Sequence, residues 1–363
     1  MTGDSTATDR RPLLDWVLAR FPDTPKTRVK QWIQAGRVTV DGKIVRKANE
    51  PMTDPGDKLD LLGRQASAFV CDPEWLIHVR LGVLYLDSSI AIVNKGAGML
   101  SVPAPNQDIC ALSVLRDVLC GKLRPREQRP IPPAFRKLSP HVVHRIDQFT
   151  SGVFCMAMNP AARAHLIEQF HEHTIKREYV AYVDGKAKAP RGTWRHWLKL
   201  TEDEMRQFVV PEHEGKAEQS TAVEAITHYE VITEFQTASG VVSKLRLRLE
   251  TGKRHQIRVQ AAYEGLPLIG DRIYHPKYRL ESGLPVPVEF TRQALHAEFL
   301  EFEHPDQHKR MSWHGPLPRD LRQLETTLYQ QSSAAKRNHG RPAGPKPANY
   351  PPHPTLSRKG RGN

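Results

Sequence analysis

The segment Val242–Glu250 constrains the fold of this chain more than any other feature. Its apolar and charged residues alternate, with Leu245, Leu247 and Leu249 lying between Lys244, Arg246, Arg248 and Glu250. Successive side chains of a strand point to opposite faces, so this strand has one apolar face and one basic face. A strand of this kind suits an antiparallel sheet with one face in water. We therefore predict an antiparallel sheet rather than a parallel, doubly wound one.

A second segment, His144–Gly152, concentrates reactive side chains. It reads His-Arg-Ile-Asp-Gln-Phe-Thr-Ser-Gly, so a histidine, a cation and a carboxylate fall within four residues. The apolar run Val153–Met158 follows at once, and a short apolar run bounded by turn residues is typical of a buried strand. Asp147 is thus predicted to lie in a loop held rigidly from behind, a setting that suits chemistry. The alternative is an Arg145–Asp147 ion pair that only staples a turn.

The segment His144–Gly152 resembles the His-Arg-Leu-Asp…Thr-Ser-Gly signature of the RluA-type RNA pseudouridine synthases. Other blocks are similar to that family in the same order along the chain. They are Val93–Gly98 (Asn-Lys-Pro-Ala-Gly in the family), Lys176–Gly185 (the Lys-x-Tyr strand), Leu249–Val259 (Thr-Gly-Arg-x-His-Gln-Ile-Arg), Gly265–Asp271 and Leu295–Ala297. The resemblance extends over about residues 75–315. It implies an α+β pseudouridine synthase fold, with a mixed, mainly antiparallel sheet and flanking helices.

The resemblance also implies a role for each matched residue. Asp147 is the catalytic carboxylate, Tyr179 stacks on the extruded uracil, and Arg258 holds Asp147 ionised and oriented. The residues leave open whether Asp147 attacks the sugar or abstracts a proton. Taken alone, the tyrosine also fits a core position and the arginine a helix surface. Four further residues are expected to contact the substrate: His144, which braces the loop, Arg145, Lys176 and Ile257.

Three positions depart from the family pattern. Gln148-Phe149 stands where charged or small residues are frequent, Gly96 replaces the usual proline, and Gln260 stands where a histidine is common. The acid, the stacking ring and the partner cation are all retained. The departures therefore bear on which RNA is the substrate, which the sequence leaves open.

Residues 12–62 are predicted to form a separate small α+β module. Thr24-Pro25 is typical of a helix start, and an apolar stripe follows at Val29, Trp32 and Ile33. Asp41-Gly42 lies between alternating apolar residues, which indicates a hairpin. The pattern resembles the αL RNA-binding domain shared with a small-subunit ribosomal protein. The resemblance implies that a basic face contacts RNA phosphates, the alternative being simple solvation; that face comprises Lys26, Arg28, Lys30 and Arg37.

Composition divides the rest of the chain. Residues 1–11 are expected to be disordered, and residues 63–74 to form a linker before a catalytic domain at 75–325. Residues 332–363 contain seven Lys and Arg residues, no Asp or Glu, and many Pro and Gly, and are predicted to be a disordered basic tail.

The reaction that the resemblance implies is a rearrangement of one nucleoside without a redox step, so no cofactor is expected. The four cysteines show no Cys-x-x-Cys spacing, and His171 and His173 would face different directions on a helix, so no metal is predicted. A formal net charge of +13 suits an RNA partner, ribosomal RNA first and tRNA second. We expect a cytoplasmic monomer without a membrane partner, because neither a signal peptide nor a long apolar run is visible.

Two other functions compete with this interpretation. One is a non-catalytic RNA-binding or ribosome-assembly factor on the same scaffold, which the joint presence of Asp147, Tyr179 and Arg258 disfavours. The other is a hydrolase that uses Asp147 as its nucleophile. The sequence lacks the second carboxylate or metal set that such a hydrolase usually needs.

Overall fold

The structure is a computed structural model that describes residues 10–34, 38–41, 43–45, 47–61, 69–105, 107–129, 131, 133–279 and 282–339. Within these residues the strands form three sheets, of two, three and twelve strands. The two small sheets belong to the N-terminal module, and the large one carries the rest of the chain.

The N-terminal module contains two helices and five short strands. They are β1 (Arg11–Pro12), α1 (Leu13–Arg20), α2 (Lys26–Gln34), β2 (Val38–Val40), β3 (Lys43–Ile44), β4 (Pro51–Met52) and β5 (Leu59–Leu61), with a 3₁₀ turn at Gly56–Lys58. The β2–β3 hairpin turns at Asp41, whose φ of 53° is left-handed. Val29 and Ile33 of α2 are fully buried against α1 and β2. The predicted helix and hairpin are therefore both present.

The basic face of this module is partly described. Lys26, Arg28 and Lys30 are all exposed on α2. Arg37, the fourth predicted member, lies outside the described residues. The three exposed cations leave the face open to an anionic partner.

The large sheet is built from twelve strands with helices on its flanks. In chain order the elements are β6 (Phe69–His78), β7 (Leu81–Leu86), β8 (Ile90–Lys95), α3 (Ala111–Leu119), β9 (His141–Val142), β10 (Ser151–Ala157), α4 (Pro160–His171), β11 (Lys176–Asp184), β12 (Arg191–Leu200), β13 (Gln207–Val210), α5 (Glu212–Gly215), β14 (Val223–Thr237), β15 (Gly240–Leu249), α6 (Gln256–Tyr263), β16 (Leu295–Glu303), β17 (Arg310–His314) and α7 (Arg319–His339). Two 3₁₀ turns lie at Pro133–Lys137 and Pro276–Tyr278.

The strand order is β13-β12-β14-β15-β11-β16-β10-β8-β7-β6, with β17 added to β16 and β9 to β10. The β10–β16 pair is parallel, and the other pairs among the described strands are antiparallel. This confirms the mixed, mainly antiparallel sheet. Strand β15 also has its predicted faces, since Leu245 and Leu247 are fully buried whereas Arg246 and Arg248 are exposed.

Both faces of β11 are covered. Tyr179 and Ala181 pack into the main core, while Val180 and Tyr182 pack beneath α7. Helix α7 contributes the fully buried Leu321 to that second core. The strand that carries the predicted stacking tyrosine is therefore fixed from both sides.

Three predicted boundaries differ from the structure. Residues 69–74, expected in the linker, belong to β6; Pro73 is tolerated there because β6 is the edge strand of the sheet. Arg11, expected to be disordered, pairs with Met52. Residues 332–339, expected in the tail, continue α7, where the Ser332 hydroxyl accepts a hydrogen bond from the Gln236 N–H.

In the described parts of the chain, none of the helices is long and apolar enough to cross a membrane.

Helix α7 should contribute directly to stability through Leu321. Leu321→Ala removes a fully buried side chain and should lower the free energy of unfolding by about 2–5 kcal/mol. Urea denaturation of the purified variant measures this. Gln323→Ala, exposed on the same helix, is the matched control and should change stability by less than about 0.5 kcal/mol. Equal effects of the two substitutions would show that α7 does not pack as described.

Candidate active site

The loop between Ile146 and Thr150 is held by the ammonium group of Lys95. Lys95 ends β8 and is fully buried. Its Nζ donates to the carbonyl oxygens of Thr150 (2.6 Å), Met99 (2.9 Å), Gln148 (3.0 Å) and Gly96 (3.2 Å). Burial lowers the pKa of Lys95 to about 7, while the negative charge of Asp147 acts in the opposite direction. One cation thus holds the carbonyl oxygens of Gln148 and Thr150, the first and third residues after Asp147.

Two further groups fix the same loop. The Ser101 hydroxyl donates to the Ile146 carbonyl at 2.8 Å and accepts from the Ile146 N–H at 3.2 Å. The buried Arg292 guanidinium donates to the Phe149 carbonyl at 3.2 Å and is held in turn by Asp320 at 2.6 Å. Each backbone carbonyl from Ile146 to Thr150 therefore accepts a hydrogen bond, that of Asp147 from the Thr150 N–H, and this preorganises the position of Asp147.

The glycine of the Thr-Ser-Gly turn is required by a close approach. Gly152 has a φ of 120°, and a Cβ there would lie 2.1 Å from the carbonyl oxygen of Ala297. Ala297 belongs to β16, the parallel neighbour of β10. A side chain at position 152 would thus push apart the two strands that meet behind the loop.

Asp147 lies against Arg258, as predicted. The Arg258 Nη1 donates to Asp147 Oδ2 at 3.2 Å, and the guanidinium is almost fully buried on α6. The same guanidinium makes a two-pronged contact with Asp271, with Nε to Oδ2 at 2.7 Å and Nη2 to Oδ1 at 2.9 Å. Two-pronged pairs of this type fix both distance and plane. Asp271 therefore holds Arg258 in place, and Arg258 presents its remaining edge to Asp147.

The charges of this triad are firmly set. Burial opposes ionisation of Arg258, but the hydrogen bonds and charge of Asp271, with those of Asp147, outweigh it and raise the pKa of the guanidinium. Burial likewise opposes ionisation of Asp271, yet contact with Arg258 and two backbone N–H groups lowers its pKa. Arg258 is consequently a permanent cation beside Asp147.

Tyr179 is buried and lines the cavity around Asp147. A register shift between Glu178 and Tyr179 interrupts the pairing of β11 with β16, and bulges of this kind often redirect a side chain near an active site. Burial raises the pKa of Tyr179, and the charge of Asp147 acts in the same direction. The phenol is therefore neutral over the physiological pH range, and its ring can stack on a base.

His255 approaches Asp147 from the turn before α6. Its Nε2 lies 3.9 Å from Asp147 Oδ2, and its Nδ1 contacts the Tyr274 hydroxyl at 3.0 Å. Its φ of 52° is left-handed, a strained conformation for a residue other than glycine. Burial lowers the pKa of His255 to about 4, so the ring is neutral near pH 7. The sequence had assigned this histidine no role.

These groups surround a cavity of about 590 Å³. Its described lining contains Asp147 as the single carboxylate, together with basic and apolar side chains that include Arg145, Arg177, Lys253 and Arg258. A cavity of this size accommodates a small organic group such as a nucleobase. Carboxylate, fixed cation and aromatic ring therefore converge on one space.

Of the four other residues predicted to contact the substrate, three line the cavity and Lys176 does not. Arg145 is exposed at the cavity rim, and Ile257 is a buried part of the wall. His144 braces the loop, as its Nε2 accepts from the Cys155 N–H at 3.0 Å. Lys176 lies outside the lining and pairs with Glu301 at 3.0 Å. Because strand residues alternate, the next residue along, Arg177, shares the cavity face with Tyr179.

One cluster outside the cavity has the composition of a metal site. The ligand atoms of His165, Glu303 and His308 lie within 4.8 Å of one another. However, Gln169 donates from Nε2 to His165 Nδ1, and its Oε1 accepts from the Glu303 N–H, so its orientation is fixed. With Nδ1 accepting from Gln169, the His165 ring carries a proton on Nε2, the atom that faces the Glu303 carboxylate at 3.9 Å. His308 Nδ1 lies within hydrogen-bond distance of that carboxylate, at 3.2 Å, so the cluster is better described by hydrogen bonds than as a metal site.

Comparison with known families agrees with this geometry. Residues 89–263 match the model of the family described as RNA pseudouridylate synthase, and residues 11–59 match that of the S4 domain. The chain is 32% identical over 335 residues to ribosomal large subunit pseudouridine synthase D of Pseudomonas aeruginosa, covering 88% of this chain and 93% of that protein. The chain belongs to the RNA pseudouridine synthase family. The recognition of the family and of the N-terminal domain from sequence is thereby confirmed.

Further relatives support the same assignment. The synthase D of Escherichia coli K12 is also 32% identical, over 86% of this chain and 89% of that protein. The solved structure of human RNA Pseudouridylate Synthase Domain Containing 4 matches with a TM-score of 0.50 at 20% identity, over 68% of this chain and 92% of that chain, which supports the fold. The protein is thus an RNA pseudouridine synthase, and the non-catalytic alternative is not favoured.

The brace formed by His144 should make stability dependent on pH. Burial, reinforced by the charge of Arg177, lowers its pKa to about 3 from the ordinary value near 6.5. Between these values the unfolded chain binds a proton that the folded protein does not, so stability falls as the pH falls from 6.5 toward 3. His144→Gln keeps an acceptor but cannot titrate. Urea unfolding measured between pH 7.5 and 4.5 should show that the variant takes up fewer protons on unfolding than wild type does, the difference being up to about one proton. Identical pH slopes would contradict this.

Asp271 should be needed to position Arg258. Asp271→Asn weakens a buried two-pronged ion pair and should cost about 3–5 kcal/mol of stability, with a large loss of single-turnover rate although Asp147 is intact. Asp184→Asn is the matched control, because Asp184 pairs with Lys277 outside the cavity lining. It should lose some stability and retain the rate. An unchanged single-turnover rate in Asp271→Asn would show that Asp271 is not needed to position Arg258.

Proposed function

We propose that this protein isomerises specific uridines of large-subunit ribosomal RNA to pseudouridine, with Asp147 as the catalytic carboxylate. The ribosomal substrate is proposed from the names of the relatives, which are ribosomal large subunit pseudouridine synthases. The single observation that carries the catalytic assignment is the chain of contacts Asp147–Arg258–Asp271 inside a cavity that Tyr179 also lines. In the cell we expect a cytoplasmic, monomeric enzyme.

The roles follow from where the groups lie. Asp147 cannot reach a uridine inside a helix, so the base must be extruded into the cavity. The ring of Tyr179 then stacks on the uracil, and base–aromatic stacking is worth about 1–3 kcal/mol. Arg258 keeps Asp147 oriented and stabilises its negative charge, whether the carboxylate attacks the sugar or removes a proton from it. Arg145, exposed at the rim, is placed to occupy the gap that the extruded base leaves in the stack.

The N-terminal domain is proposed to add affinity rather than chemistry. Its exposed cations on α2 suit contacts with phosphates of a structured RNA. Such contacts weaken as salt rises because condensed counterions are released on binding. The choice of uridine would then depend on the catalytic domain together with this second hold on the RNA.

The function is tested by mapping pseudouridine in total RNA from cells that lack the protein, complemented with wild type or Asp147→Asn. We expect a site in large-subunit ribosomal RNA to lose its modification in the deletion and to recover it with wild type alone. In vitro, Asp147→Asn should slow turnover by at least about 10³-fold while RNA affinity stays nearly unchanged. The control is Asp117→Asn, a half-buried aspartate of α3 that pairs with Arg116 outside the cavity lining.

Three results would contradict the proposal. Residual activity of Asp147→Asn above a thousandth of wild type would remove Asp147 as the essential group. If the deletion loses pseudouridine only from a tRNA, the substrate is tRNA rather than ribosomal RNA. Loss of activity in Asp117→Asn as well would indicate a general effect of lost charge.

A further inference from the structure

Arg177 is a buried cation that has no counterion among the residues that the structure describes. It lies on β11 two residues before Tyr179 and has 8% of its surface exposed. Its Nε has no hydrogen-bond partner among the described residues, and its Nη2 makes a single long contact of 3.5 Å with the Glu250 carbonyl. Its remaining contact is the face of the Phe170 ring, 5.4 Å from the guanidinium carbon. A buried charge left in this state is costly unless a partner arrives.

The other buried cations of the described chain are saturated. Lys95 donates to four carbonyl oxygens, and Arg258 is held by two aspartates. Arg292 is occupied by Asp320 and by loop carbonyls. Each of these three cations uses its N–H donors to hold another part of the folded chain. Arg177 is the exception, so its task is not explained by the folded chain alone.

Arg177 also faces the active site. It lines the same cavity as Asp147 and Tyr179. Side chains two residues apart on a strand stand about 7 Å apart, a spacing comparable with the reach from a base to its own backbone phosphate. The guanidinium passes so close to Gly252 that a Cβ there would lie 2.4 Å from Nη1. The glycine of the Thr-Gly turn therefore keeps a channel open for this side chain.

The surroundings of Arg177 favour an anion. His171, His173 and Lys253 line the same cavity, and Asp147 is the single carboxylate among its described lining residues. Burial lowers the pKa of Arg177, yet an arginine remains charged at any physiological pH. A planar guanidinium with free donors matches the geometry of a phosphate.

We propose that Arg177 binds a phosphodiester of the RNA backbone next to the extruded uridine, fixing the nucleotide between this phosphate contact and the ring of Tyr179. The proposal rests on the proposed function, because it assumes that the uracil occupies the cavity beside Asp147. It adds a second point of attachment within the catalytic domain. Arg177 would therefore contribute to capture of the flipped nucleotide, while Arg258 serves the carboxylate.

The test combines a protein variant with a modified RNA. A stem-loop containing the mapped uridine is synthesised with a neutral methylphosphonate at each phosphate flanking that uridine, one at a time. Affinity and single-turnover rate are measured for wild type, Arg177→Gln and Arg177→Lys. Arg191→Gln is the matched control, since Arg191 is exposed on β12 and pairs with Glu230 outside the cavity lining. Thermal unfolding of every variant separates lost binding from lost folding.

We expect Arg177→Gln to weaken capture of the unmodified RNA by about 10- to 100-fold, the usual worth of a hydrogen bond to a charged group. One methylphosphonate should cost wild type a similar factor and cost Arg177→Gln nothing further, because both changes remove the same contact. Arg177→Lys should recover part of the loss by restoring the charge. Arg191→Gln should respond to every methylphosphonate as wild type does.

Other outcomes overturn the proposal. If the losses from Arg177→Gln and from every methylphosphonate multiply independently, Arg177 is structural. If no methylphosphonate affects wild type, while inorganic phosphate competes with RNA for wild type and not for Arg177→Gln, the site takes free phosphate instead. If Arg177→Gln fails to fold, the lysine variant and wild type still decide the question. A wild type that is insensitive to every methylphosphonate rejects the contact. A methylphosphonate that weakens wild type strongly, and Arg177→Lys by a smaller factor at the same position, supports it. Failure of the proposed function is distinct, because wild type would then modify no RNA.

Discussion

The active site depends on one buried ammonium group. Lys95 has no carboxylate partner among the contacts of its Nζ; it replaces its hydration shell by four backbone carbonyl oxygens, two of them from the loop that carries Asp147. Buried carbonyls of this kind need a donor or a water in a dry interior. The cation therefore links the end of β8, the Met99 turn and the catalytic loop into one unit. This backbone arrangement fixes the position of Asp147.

The second organising element is the pair formed by Arg258 and Asp271. Arg258 comes from α6 and Asp271 from the turn that follows Gly270, so the pair ties two consecutive segments across the cavity floor. Because Asp271 holds Nε and Nη2 of the guanidinium, its Nη1 is the nitrogen that contacts Asp147. The site thus separates two tasks: one carboxylate immobilises the cation, and the other is left half-accessible for chemistry.

Much of this could be predicted from local sequence. Alternation at Leu245 and Leu247 predicted the sheet and its faces, and the His144–Gly152 block located the acid. The structural anchors were harder to predict, because Lys95, Asp271 and Arg292 act over long sequence separations that periodicity does not encode. The sequence prediction chose Lys176, which lies three residues before Tyr179, whereas the two-residue repeat of a strand places Arg177 on the same face as Tyr179. Residues 69–74, predicted as linker, proved to belong to the edge strand β6.

The contacts that hold the catalytic loop determine which parts of the enzyme can change conformation. The Thr150 N–H donates to the Asp147 carbonyl within the loop, the Gly98 N–H donates to the Gln148 carbonyl from the neighbouring turn, and the cations Lys95 and Arg292 are buried. Because segments held by buried contacts open only at high free energy, we expect this loop to be among the last parts of the molecule to unfold. The turn between β12 and β13 is different: its Glu204 carbonyl accepts from the exposed Arg254, which lies between the cavity-lining Lys253 and His255, and it exposes Met205. We expect the fit to a bulky RNA to adjust at this exposed turn rather than at the catalytic loop.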